Sequence, residues 1–128
     1  MLRFRKAQID TLSEYMRRSF ENRMVDHIAE EFPDKYKAML DKERGDAPVR
    51  ELVRRGVEKA EGYGLNSERD VALFIDLMVR VEPEFDQRPD MDWACEILKS
   101  DSVPQDGKVD AIHAELDARE APLEDEEQ

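Results

Sequence analysis

The sequence predicts an all-α protein, a compact bundle of about six helices packed round one central apolar helix. Apolar residues recur every three or four positions along most of the chain, the period of one helix face. Proline, glycine and a capping serine stand where those periodic runs begin or end. No stretch alternates apolar and polar residues between turn dipeptides, so no strand is expected.

The first long segment carries Ile9, Leu12, Met16, Phe20, Met24, Ile28 and Phe32 on one stripe, widened by Val25, with Arg17, Arg18 and Glu21 opposite. Pro33 ends it, because the residue before a proline disfavours the α region. Asp34 is placed to cap a short second helix reaching Leu40, with Tyr36, Met39 and Leu40 as its apolar positions. The polar run Asp41–Asp46, with Gly45, reads as a loop. Pro48 then opens a third helix. Its inward positions are Val49, Leu52, Val53, Val57 and Ala60, and Gly64 is its stop. Gly56 in its middle costs about 1 kcal/mol against alanine, which points to another helix passing close by.

Ser67-Glu68-Arg69-Asp70 is the clearest helix start, a hydroxyl three residues before a carboxylate. The helix it opens, through Val81, is apolar on almost every side, as a central helix must be. Pro83 closes it. Glu82–Asp92, with two prolines, reads as a loop that pins Phe85 to the core. Trp93–Lys99 forms a short helix presenting Trp93, Ala94, Ile97 and Leu98. Ser102-Val103-Pro104 leads into a last helix with Val109, Ile112 and Leu116 on one side. Residues 1–119 are therefore expected to form a single domain, and 120–128 an acidic disordered tail.

The 128 residues are 40% hydrophobic and 41% charged, enough for one core in one domain. Cys95 stands alone, so no internal disulfide can form and a reducing, cytoplasmic setting is expected. Arg3, Arg5 and Lys6 are followed by no continuous apolar stretch, so no signal peptide is read. The longest apolar window, Val71–Val81, is interrupted by Asp76 and Arg80 and is too short to span a bilayer. Charge is uneven. Residues 1–60 hold 14 Lys and Arg against 12 Asp and Glu, whereas residues 61–128 hold 6 against 20. The net charge of −12 repels phosphate backbones and argues against nucleic acid. It suits a basic protein partner, or simple solvation.

Catalytic, cofactor and metal sites are each expected to be none. Nucleophilic catalysis would need Cys95 beside His27 or His113. Cys95 lies in an apolar stretch that suits a buried structural thiol, and His27 reads as a boundary histidine bonded locally. His27 with Glu30 or Glu31, and Asp110 with His113, have helical spacing but lack the further ligands of a di-iron bundle. Asp106–Asp110 superficially matches a calcium loop. Aligned on Gly107, however, Ser102, Pro104 and His113 stand where carboxylates are required. Asp86–Ile97 fails as well, with Met91 in the glycine position. The basic flank Arg50, Arg54, Arg55 and Lys59 reads as a solvated face pairing with Glu51 and Glu58.

A set of strings carries a resemblance. They are Met24-Val25 with His27 and Phe32-Pro33, Leu52-Val53-Arg54-Arg55-Gly56-Val57-Glu58, and Tyr63-Gly64-Leu65 with Ser67-Glu68-Arg69-Asp70-Val71. Phe74-Ile75-Asp76-Leu77-Met78 and Trp93-Ala94 with Ile97-Leu98 complete the set. Over roughly residues 10–100 the chain resembles a family of short bacterial proteins encoded beside toxins and their loading chaperones in type VI secretion gene clusters. Family members often carry Pro before the tryptophan. Asp92 stands there here, so the turn into that helix is not carried over. The resemblance implies a non-enzymatic accessory or co-chaperone that helps load an effector onto the secretion spike. Its partners would be the effector, its loading chaperone or a spike-tip protein, with neither nucleic acid nor membrane. The rival expectation is an immunity protein that plugs a cognate toxin.

Overall fold

The computed structural model describes residues 6–120, with side chains from Glu14 onward. The described residues form six helices and no strand: α1 (Lys6–Glu31), α2 (Pro33–Met39), α3 (Ala47–Gly62), α4 (Glu68–Arg80), α5 (Asp92–Lys99) and α6 (Gln105–Glu120). Two 3-10 turns, Phe85–Gln87 and Pro89–Met91, occupy the stretch read as a loop between α4 and α5. Phe85 is fully buried there, as expected.

The central helix is α4, which packs against α1, α3 and α6. Ser67 begins it, its Oγ accepting the Asp70 amide at 3.1 Å, so the hydroxyl half of the capping pair read from the sequence is present. Phe74, Ile75 and Leu77 have no exposed surface, and Phe74 lies between the rings of Tyr63 and Phe85, with centroids 5.9 and 5.3 Å away. Gly56 has the use the sequence suggested. A Cβ at that position would stand 2.5 Å from Ile75 Cγ1 and 3.0 Å from Met78 Sδ, so α3 approaches α4 only because the side chain is missing. The last carbonyls of α4 are capped from α2, where Lys35 Nζ donates to Val79 O at 2.7 Å and Arg80 O at 2.8 Å.

Several expectations need correction. Asp34 does not cap α2. Pro33 is already in the first turn, so Phe32 takes the cap position and Asp34 lies inside the helix. No residue of α2 is buried, and Leu40 is 42% exposed, because a seven-residue helix at the margin covers the core only partly. Met16 was expected on the core face of α1 yet is 56% exposed; the first buried side chain described there is Phe20. Ile9 and Leu12 lie outside the residues with described side chains. Glu120, assigned to the tail, ends α6 and accepts from Arg80 at 2.9 Å, while the rest of the expected tail lies outside the described residues.

The basic flank of α3 pairs across the fold rather than with Glu51 and Glu58. Arg50 and Arg54 both donate to Glu21 of α1, at 2.9 and 2.7 Å, and Arg55 pairs with Glu84. Lys59 reaches Asp86 at 2.6 Å and the Pro83 carbonyl at 2.9 Å. Helical spacing shows which residues share a face, but not which neighbouring helix lies opposite that face. The loop at 41–46 is closed by paired Asp41–Gly45 backbone bonds of 2.9 Å, with Gly45 at φ +62°.

Candidate protein-interaction site

Trp93 and Ile97 are one helical turn apart on α5 and so share a face. The adjoining face, Ala94 and Leu98, is buried in the core, which leaves Trp93 and Ile97 half-buried at its edge. Across from them α6 presents Ala111, Glu115 and Arg119, also at turn spacing, and the connection between the helices adds Ser100 and Val103. Together with Glu96 these residues line an open cleft of about 600 Å³. Its floor is apolar and its edges are charged. The Arg119 guanidinium lies 4.3 Å from the centre of the Trp93 ring and donates to Glu115 at 2.9 Å. Trp93 Nε1 is buried and has no hydrogen-bond acceptor among the described residues, although a buried indole N–H ordinarily finds one.

The stretch of chain that builds the cleft is acidic. Residues 92–120 contain eight Asp and Glu against three Lys and Arg. One of those cations, Lys108, is buried and donates to the Leu98 carbonyl at the end of α5, at 2.9 Å. Asp110 is held below the usual carboxylate range by two bonds from Arg69, both 2.8 Å. Asp117 and Glu120 share Arg80. Asp92, Glu96, Asp101 and Asp106 are exposed and make no ion pair with another described residue. Of the charged side chains that line the cleft, Glu115 is paired with Arg119 and Glu96 is not, so an apolar floor with a small excess of negative charge can hold an apolar side chain of a partner.

The residues examined for chemistry are dispersed. Neither histidine hydrogen-bonds to Cys95. His27 Nε2 donates instead to Asp76 on α4, at 2.9 Å, a partner 49 residues away rather than the local one expected. His113 Nδ1 accepts from Arg80 at 3.2 Å, which has only donors, so its Nε2 carries the proton given to the Leu73 carbonyl at 2.9 Å. Asp76 has little exposure, and burial pushes its carboxyl above the usual range against the pull of His27. Cys95 is half-buried, less enclosed than expected, with Sγ 3.9 Å from the Tyr63 hydroxyl. That hydroxyl donates to Asp86 at 2.7 Å, and burial raises its pKa. Burial also pushes Asp86 upward, but bonds from Lys59 and Tyr63 outweigh it and hold the carboxylate below its ordinary range. The apparent calcium loop Asp106–Asp110 is wound into the first turns of α6. Among the described residues no group of three or more His, Cys, Asp and Glu side chains could hold a metal ion. No described helix is long and apolar enough to cross a membrane.

No family model matches the chain. No curated protein and no solved structure is detectably similar to it either. Sequence reasoning named Trp93 and Ile97 as apolar positions but did not foresee the cleft. The turn spacing of Trp93 and Ile97 was its visible signal. The facing residues of α6 carry none, because that pairing is made only by the packing.

Proposed function

We propose that the chain is a non-enzymatic accessory protein that helps load a type VI secretion effector through protein–protein binding in the cytoplasm. The observation that carries this reading is the open cleft in which the half-buried Trp93 and Ile97 meet Val103 and Ala111, in the acidic second half of the chain. Tryptophan is among the side chains that dominate binding energy when a partner covers it, and the acidic second half of the chain would steer a basic partner toward it. Reversible holding of an effector, its loading chaperone or a spike-tip protein needs no more than this. The motif resemblance supplies the secretion context.

A tagged protein captured from the lysate of its own cell tests the reading, with Trp93→Ala and Ile97→Asp as paired variants. Both side chains are partly exposed, so each variant is expected to fold and to lose the co-purifying chaperone, effector or spike-tip protein. A competition assay separates the rival. A deletion strain grown against kin that carry the active toxin is expected to lose attack while keeping resistance. Killing of that strain by its kin would replace the loading reading with immunity.

A further inference from the structure

One face of α6 is polar and turns toward α4. Asp110, His113, Asp117 and Glu120 recur on it at turn spacing, and two arginines of α4 meet them. Arg69 holds Asp110 with two bonds of 2.8 Å. Arg80, whose side chain is only 20% exposed, reaches Asp117 at 2.8 Å and Glu120 at 2.9 Å. It also donates to His113 Nδ1 at 3.2 Å. The histidine differs in kind from the other three. A carboxylate accepts from arginine throughout the neutral range, whereas an imidazole nitrogen accepts only while it is bare. A guanidinium has donors alone and keeps its proton, so His113 must be neutral in this arrangement. Its one ring proton is on Nε2, which gives it to the Leu73 carbonyl at 2.9 Å. A second proton, on Nδ1, would cancel the Arg80 bond and set two cations 3.2 Å apart.

We propose that His113 and Arg80 form a proton-operated latch: with His113 neutral, Arg80 clamps the last two turns of α6 to α4, and a proton on Nδ1 releases them. The latched state excludes that proton and the released state admits it, so falling pH favours release. The charges facing His113 come from three helices. On α6 itself they are Asp110, Asp117 and Glu120, each already engaged by an arginine of α4. From α4, besides Arg69 and Arg80, comes Asp76, whose carboxylate is bonded to His27 of α1 at 2.9 Å and is also acted on by Glu31. From α5, Glu96 meets α6 beside Ala111 and Glu115, about half a turn away from His113. Every carboxylate that faces the imidazole thus has its cation, and Arg80 is the neighbour that a new charge displaces. Release would reach the Trp93 cleft. Its far wall, Glu115 and Arg119, belongs to the same two turns, and Arg119 lies 4.3 Å from the centre of the Trp93 ring. The latch needs no partner and does not rest on the proposed function.

Trp93 is the only tryptophan of the chain, so its fluorescence reads the latch directly. Between about pH 8 and about pH 5, the span in which imidazoles gain a proton, the emission of the full chain is expected to shift to longer wavelength in one step. His113→Gln, with no imidazole to titrate, should keep one emission maximum over that range. His27→Gln should retain the step, which separates the latch from the His27–Asp76 pair. In that variant His113 is the only imidazole left, and its titration followed by NMR should share the midpoint of the fluorescence step. This comparison stands even where His113→Gln does not fold. An emission maximum that stays constant across the range in the parent chain would overturn the proposal. A step that survives in His113→Gln would overturn it too, as would a step lost in His27→Gln or a midpoint apart from that of the His113 imidazole.

Discussion

Gly56 on α3 and Ile75 on α4 fit together only because the glycine has no side chain: a Cβ would stand 2.5 Å from Ile75 Cγ1. In a free helix Gly→Ala gains about 1 kcal/mol. Here the added methyl must displace a side chain that is itself fully buried, at a cost of about 1–3 kcal/mol. Gly56→Ala is expected to lower stability by about 1 kcal/mol in urea titration, because the clash outweighs the propensity. A gain in stability would mean that α3 and α4 are further apart than described.

Phe74→Ala and Leu77→Ala should each cost about 2–5 kcal/mol, since both side chains are fully buried on the central helix. Losses below about 1 kcal/mol at both sites would place α4 at the periphery.

Glu21 ties α1 to α3 through Arg50 and Arg54. Burial acts to raise its carboxyl, but bonds from the two arginines prevail and hold it below its ordinary range. Asp86 is lowered in the same way by Lys59 and Tyr63. A carboxylate depressed in the folded state stabilises above its unfolded pKa, and that stability is lost as pH falls through the folded value. Glu21→Gln should therefore cost about 1–2 kcal/mol at pH 7, discounted because Arg54 is largely exposed. The deficit should shrink as pH drops below about 5, as thermal melts at stepped pH would show.

Asp76 carries the opposite sign. Its raised carboxyl contributes stability that is present at low pH and is lost as pH rises through the folded value. Asp76→Asn is thus expected to be no less stable than the parent at pH 7, with the parent gaining on it as pH falls. A variant that loses stability at pH 7 and regains it on acidification would show that the His27 bond outweighs the burial.

Acidic steering has a kinetic signature. For the partner captured by the Trp93 cleft, association should slow as added salt shortens the screening length from about 10 to about 3 Å. Dissociation should change less, because the apolar floor holds the complex. Equal salt effects on both rates in surface plasmon resonance would remove the steering argument.

Much of the architecture follows from short-range chemistry that can be read along the chain. The Ser67 cap, Pro48 in the first turn of α3, Gly64 at its end and the all-round apolar α4 are local facts, set by backbone sterics and helical period. The sequence by itself determined the helices, most of their limits and the identity of the central one. Only the tertiary structure decided what each face meets. Periodicity puts Met16 and Phe20 on one stripe, but only the packing of the other helices leaves Phe20 buried and Met16 exposed. Arg54 looked like a solvated cation beside Glu58, and it bonds to Glu21, 33 residues earlier. His27 found Asp76 in the same way, and Trp93 gained a cleft from residues on α6. These relationships depend on the distance between elements far apart in the chain, which packing fixes and local pattern does not encode.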